Sequence, residues 1–198
     1  MRQRAKTLEL DDVRRFRALV RQHRHPQRDD VIVLLSFKAG LRACEVAGLQ
    51  WSMVLNSRHE IGRQLCISRT IAKGGSARTV PLHRDLTAAL KRLHRQQAQP
   101  RDGPVVLSER GGHMTPRSIV NWFHEAYHEL GLVGCSSHSG RRTFITAAAR
   151  LLAATGGSLR DVQELAGHRS LSTTERYIEG DRAAQRKLIA RLYPSHQR

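Results

Sequence analysis

Cysteine is scarce in this 198-residue sequence: Cys44, Cys66 and Cys135 are odd in number and show no C-x-x-C spacing. That argues against a disulfide framework and against a cysteine-built zinc site, so reduced thiols are the default. Long apolar runs are missing as well. The longest, Val31 to Leu35, is far short of the roughly 20 residues that span a bilayer. The basic start Met1-Arg2-Gln3-Arg4-Ala5-Lys6 lacks the apolar stretch and cleavage site of an export signal, so a cytoplasmic location is expected. Negative charge is the third shortage. Asp and Glu number 17 against 34 Lys and Arg, which leaves +17 and points to a polyanionic partner.

The remainder is ordinary globular material, 39% hydrophobic and 26% charged, in a chain long enough to bury a core without covalent staples. Most of it reads as helix. Val13, Phe16 and Val20 fall at helical spacing, Val31 to Phe37 read as a buried helix ending at Ala39-Gly40, and a short helix follows from Ala43 to Gly48. The period then changes. Leu65, Ile67 and Thr70-Ile71, then Arg78-Thr79-Val80, are β-rich and flank Lys73-Gly74-Gly75-Ser76, which reads as a hairpin turn. Leu86, Leu90 and Leu93 mark another helix, ended by the loop Gln99 to Pro104, which does not read as a domain boundary. Thr115 and Pro116 open a helix to about Leu130, closed by Gly131. His138 to Ala154 is a further helix, and Ser158 to Asp161 and Ser172 to Glu175 both resemble capping boxes.

Three patterns carry possible chemistry. His124-Glu125-Ala126-Tyr127-His128 matches the H-E-x-x-H zinc signature. With Ile119 at zero, an advance of about 100° per residue gathers Phe123, Ala126, Tyr127 and Leu130 on one face and leaves both histidines off it. A buried zinc would need the reverse and a third ligand, so no metal site is expected. The stretch Val162 to Ile178 looks like helix, tight turn and second helix, the layout of a helix-turn-helix DNA reader, which would make the chain a non-catalytic DNA-binding regulator.

The third pattern is spread along the chain: Gly40-Leu41-Arg42-Ala43-Cys44-Glu45-Val46; Lys73 ahead of Gly74-Gly75 and Val80-Pro81-Leu82; His138-Ser139-Gly140-Arg141-Arg142-Thr143; and Leu165-Ala166-Gly167-His168 with Tyr177 nine positions later. Together these resemble the tyrosine recombinase (phage integrase) family. The resemblance implies a mostly α catalytic-domain fold with a small antiparallel β-hairpin (α+β), occupying residues 1–198 as a single domain. It also implies a site-specific recombinase that cuts and rejoins DNA through a 3′-phosphotyrosyl link, without metal or nucleotide cofactor. Tyr177 is then the nucleophile. Arg42 and Arg141 stabilise charge on the phosphate, and His138 and His168 add hydrogen bonds, with His138 the better candidate to take the tyrosine proton. Lys73 protonates the leaving 5′ oxygen, and Glu45 fixes Arg42 or His138 from behind.

The chemistry explains those residue types. A tyrosine, with an ordinary pKa near 10, is a poor nucleophile unless the phosphate it attacks is already stabilised. Guanidiniums stay charged and offer planar donor forks to two oxygens. The family commonly carries a helical DNA-clamping domain ahead of the catalytic one. This sequence begins its catalytic pattern almost at once, as short invertases and integrases do, so the clamp is expected to be replaced or forgone. Arg14, Arg15, Arg17, Arg21 and Arg24 are either substitute phosphate contacts or solvated helix faces. An accessory DNA-binding protein is a further expected partner beside double-stranded DNA, and so is self-association to a tetrameric synaptic complex. Asp181 reads as the cap of a tail helix, about 181–198, with an apolar stripe of Leu188, Ile189 and Leu192 ahead of Tyr193-Pro194. By the resemblance that stripe docks on a neighbouring protomer; the other reading packs it on its own domain.

Overall fold

A computed structural model describes residues 5–72, 74–177 and 189, with the backbone alone for Ala153. Lys73 and the tail helix expected at 181–198, Ile189 excepted, lie outside the described residues. The described elements are α1 (Leu10–Val20), α2 (Pro26–Lys38), α3 (Ala43–Gly48), a 3-10 turn (Trp51–Met53), β1 (Gln64–Ile67), β2 (Arg78–Pro81), α4 (Arg84–Gln96), α5 (Pro116–Glu129), α6 (Ser139–Thr155), α7 (Leu159–Ala166) and α8 (Leu171–Glu175). This is the mostly α arrangement with a small hairpin that the sequence implies. None of the described helices is long and apolar enough to cross a membrane.

The core is organised around α2, buried from Asp29 to Phe37 and packed by α1, α4, α6 and α3. Such all-round burial explains why its sequence shows a run rather than a stripe. From α1, Val13, Phe16 and Val20 enter the core, and Phe16 meets Phe37, Trp122, Phe123 and Tyr127 in an aromatic cluster. Two carboxylates at the start of α2 are buried with it, and each is matched. Asp30 takes Arg17 at 2.7 and 3.1 Å and Arg92 at 3.2 Å; Asp29 takes Arg28 at 2.8 Å and the His23 ring at 3.0 Å.

Thr115 caps α5 by accepting from the Ser118 N–H, with Pro116 at the first helical position, and Ser158 and Asp161 form the expected capping box on α7. The loop after α4 is stitched to the core by Val105 and Val106, both fully buried.

Two local expectations need correction. The strands pair antiparallel, with Leu65 opposite Val80 and Ile67 opposite Arg78, but residues 68–77 form a long connection rather than a four-residue turn, and Thr70-Ile71 are not strand. Ile71 and Ala72 are drawn inward instead: Ala72 is buried and Ile71 lies against Gly48 at the end of α3. The α8 cap is Ser170, not Ser172, which sits inside the helix and shares a 2.7 Å hydroxyl contact with Ser170.

Candidate active site

Arg42 stands at the N-cap of α3, in extended conformation, with Glu45 one turn on. The Glu45 carboxylate accepts from the Arg42 backbone N–H at 2.9 Å and from its Nη1 at 3.1 Å. Glu45 is fully buried, and its principal partner is one that the sequence reading did not single out. Arg78 of β2 meets it with both prongs at 2.8 Å. Burial pushes the Glu45 carboxyl up, but the hydrogen bonds and charge of Arg78, with a smaller part from Arg42, outweigh it and hold the group below the usual carboxylate range. A signal for Arg78 existed: in a two-residue repeat it shares the inward face of β2 with Val80. An arginine on a buried strand face requires an anion.

Arg141 enters from the first turn of α6. Gly140 makes this possible by bringing α6 tight against α2; a Cβ there would lie 2.3 Å from Ser36 Oγ. The Arg141 guanidinium, 4% exposed, donates from Nη1 to the Gly40 carbonyl at 2.6 Å and from Nη2 to the Ala166 carbonyl at 2.5 Å. Its five N–H groups allow both bonds and still leave donors for a ligand. Burial, then the charges of Arg42 and Arg78, push Arg141 down to about 9, which leaves it charged at neutral pH.

His168 follows Gly167, whose left-handed conformation (φ 62°) ends α7. Its Nδ1 lies 2.9 Å from the hydroxyl of Thr174, which is fully buried in α8, and Gln163 donates to its carbonyl at 3.0 Å. Burial first, then Arg141, Arg42 and Arg78, push the ring down to about 4, so it is neutral at pH 7. In the tautomer in which the Thr174 hydroxyl donates to Nδ1, the ring proton sits on Nε2 and that nitrogen is a donor.

Tyr177 closes the group. Its ring stacks on His168 at 5.8 Å between centroids, with 23° between planes, and the Arg142 guanidinium lies 5.8 Å over it. Beneath are Ile145, Val162 and Ala166, a second, small apolar cluster. The structure thus brings Arg42, Glu45, Arg141, His168 and Tyr177 together and adds Arg78, Arg142 and Thr174. His138 is at the N-cap of α6, exposed, one turn ahead of Arg141 and Arg142; its carbonyl accepts from Arg142 N–H at 2.9 Å. The neighbour of Lys73 is placed: the Gly74 carbonyl accepts from Arg169, next to His168.

The two alternative motifs fare differently. His124 and His128 are exposed on α5, as the periodicity predicts, and among the described residues no group of three or more His, Cys, Asp and Glu could hold a metal ion. The second helix of the helix-turn-helix reading is five residues long and turns Thr174 inward, so the described residues offer no extended recognition face. Of the five arginines left open, Arg17 is half-buried and paired with Asp30 and Asp85. Arg14 and Arg24 are exposed and lie near Asp11 and Glu109.

The helical fold that carries this cluster is shared with DNA recombinases of known structure. The Tn1549 transposon integrase in complex with a circular intermediate DNA matches with a TM-score of 0.75 over 97% of this chain and 67% of that one, at 16% identity. The XerA recombinase matches at 0.72 over 95% and 65%, with 21% identity. These likenesses establish the fold, and the sequence establishes the family: the chain belongs to the phage integrase family, whose model matches residues 6–183. Tyrosine recombinase XerC of Actinobacillus pleuropneumoniae serotype 7 is 33% identical over 174 residues, 86% of this chain and 53% of the relative. XerC of Myxococcus xanthus is 35% identical over 161 residues, 77% of this chain and 50% of the relative. The chain spans about half the length of the curated relatives it matches.

Proposed function

We propose that this chain is the catalytic domain of a tyrosine-type site-specific DNA recombinase, occupying residues 1–198. The observation that carries the reading is the clamp on Arg141. Its guanidinium joins the carbonyl of Gly40, in the segment of Arg42, to that of Ala166, in the segment of His168 and Tyr177. One buried cation therefore ties three motifs together across more than a hundred residues of sequence, as chemistry at a single phosphate requires.

In this reading a phosphodiester sits against Arg42 and Arg141, with the Nε2–H of neutral His168 as a third donor. The Tyr177 hydroxyl attacks phosphorus and passes its proton to a base, for which His138 is the candidate. The bond to the 5′ oxygen breaks, and Lys73 protonates that oxygen. The products are a 3′-phosphotyrosyl link and a free 5′ hydroxyl, and the reverse attack by a 5′ hydroxyl from a partner strand completes recombination. The link conserves the phosphodiester's energy, so no nucleotide or metal is consumed. Preorganised donors aimed at the developing charge supply the largest share of the rate.

The partner is double-stranded DNA, favoured by the net +17. The working assembly is a tetrameric synaptic complex coupled by docking of the tail after Tyr177, an accessory DNA-binding protein takes part in it, and the setting is the cytoplasmic nucleoid. The deciding experiment incubates the protein with a pool of nicked duplexes of randomised sequence and resolves covalent protein–DNA adducts by denaturing electrophoresis. Wild type is expected to form adduct and Tyr177→Phe to form none while still binding DNA. An adduct that persists in Tyr177→Phe, or its absence from wild type after repeated enrichment of the pool, refutes the reading.

A further inference from the structure

We infer that Arg78 is a positioning residue for strand cleavage, holding Glu45 so that Arg42 stays free to serve the phosphate. The inference rests on the recombinase reading of the site. Arg78 cannot itself touch DNA: its side chain is 6% exposed and all three of its nitrogens are engaged. Nη1 and Nη2 take the two oxygens of Glu45 at 2.8 Å each, and Nε takes the Leu165 carbonyl at 3.0 Å.

Those distances rank the competitors for Glu45. Arg78 meets the carboxylate with the parallel fork that binds strongest, whereas the Arg42 guanidinium has a single bond of 3.1 Å. Glu45 is therefore nearly saturated by Arg78, and most of the Arg42 guanidinium remains available. Without Arg78, the same buried carboxylate has only Arg42 to satisfy it and would draw both of its prongs inward. The charge balance changes in the same direction. Arg42, Arg78 and Arg141 against Glu45, with neutral His168, leave two net positive charges among these groups, with Arg142 a further cation beside Tyr177. A phosphodiester carries one negative charge, and attack by the tyrosyl oxygen raises it towards two. Removing Arg78 takes one of these charges away at the moment compensation is needed and costs little in the bound ground state.

Arg78 also links parts of the site. It stands on the strand that leads out of the 68–77 connection and lies against the turn before His168, where a Cβ on Gly167 would come within 2.9 Å of its Cδ. It thus fixes the distance between the hairpin and the His168–Tyr177 segment.

The test uses nicked duplexes first enriched by covalent capture with wild type, and compares wild type, Arg78→Met, Arg78→Lys and the double variant Arg78→Met/Glu45→Gln. Arg78→Met is expected to cleave ~10²-fold more slowly while its Kd for the duplex stays within ~3-fold. The double variant restores two net positive charges and should regain ~10-fold of the lost rate; Arg78→Lys should fall between, at ~10-fold below wild type. Without DNA, the Arg42 guanidinium resonances should show slowed rotation in Arg78→Met as Glu45 takes hold of both prongs. Wild-type cleavage by Arg78→Met would overturn the proposal, as would a parallel fall of binding and cleavage that the double variant does not relieve. If Arg78→Met loses its helical circular dichroism, Arg78→Lys decides, and cleavage by it at the wild-type rate overturns the proposal. A wild type that forms no adduct refutes the recombinase reading itself, while the Arg42 resonances still report whether Arg78 controls that side chain.

Discussion

The two halves of the site are supported very differently. The guanidinium half is set in the main core: Glu45 is fully buried, the Arg78 side chain and Arg141 nearly so, and α3 and α6, which bear Glu45 and Arg141, pack on the long buried helix α2. The half that bears Tyr177, the proposed nucleophile, rests on α7 and the five-residue α8, over a cluster whose fully buried members among the described residues are Ile145, Val162 and Ala166. Charge stabilisation must be in place before the reaction to be effective, and burial fixes it. In the proposed reaction Tyr177 attacks, becomes esterified and later leaves, so it needs to shift; among the described residues α8 is a short helix over few apolar contacts, and such a helix opens at lower free energy than a core helix does.

That contrast can be broken from either side. The largest effect belongs to Phe16→Ala, which empties the centre of the aromatic cluster and should cost about 3–5 kcal/mol of global stability; chemical denaturation would measure it, with binding and cleavage lost together at the melting transition. Arg141→Lys comes next. It keeps a charge but not the two-pronged geometry, so single-turnover cleavage should fall ~10²–10³-fold with DNA affinity little changed, and equal losses in both would make Arg141 an ordinary phosphate contact. Val162→Ala should loosen the nucleophile half alone, by about 1–2 kcal/mol. The expected readout is faster amide exchange across α7 and α8 with the main unfolding transition unmoved; a matching shift of that transition would mean that the halves are one cooperative unit.

The smallest expected effect concerns His168. Its folded pKa is depressed to about 4, below the ordinary value near 6.5, so its neutral form contributes stability that is fully present above about pH 6.5 and is lost as pH falls towards 4. Ring resonances should titrate near 4 in the wild type. Thr174→Val removes the hydroxyl at Nδ1 and should lower cleavage ~10-fold by releasing the tautomer. A midpoint near 6.5 in the wild type would show that the ring is not enclosed by the arginines as described.

Much of the fold was legible because local signals and burial agree: the bounds of α3, the Thr115-Pro116 start of α5 and the Ser158–Asp161 box are all where residue chemistry puts them. The hairpin connection was not, because Ile71 is β-prone by type yet is used to cover α3, a tertiary demand that no local pattern encodes. The motif pattern picked out Arg42, Glu45, Arg141, His168 and Tyr177, which the fold gathers in one cluster, but no spacing rule says that Arg141 is clamped by two carbonyls. Arg17 illustrates the converse. Its place in an arginine-rich helix suggests phosphate contact, and only the fold reveals the buried Asp30 that claims it.

The proposed chemistry is tested most directly by the identity of the covalent link. Wild-type protein trapped on a nicked duplex, digested with protease and nuclease, can be sequenced by tandem mass spectrometry. The prediction is a nucleotide joined through its 3′ phosphate to the oxygen of Tyr177. A nucleotide on any other side chain, or one joined through a 5′ phosphate, would contradict the arrangement of guanidiniums, histidine and tyrosine described above.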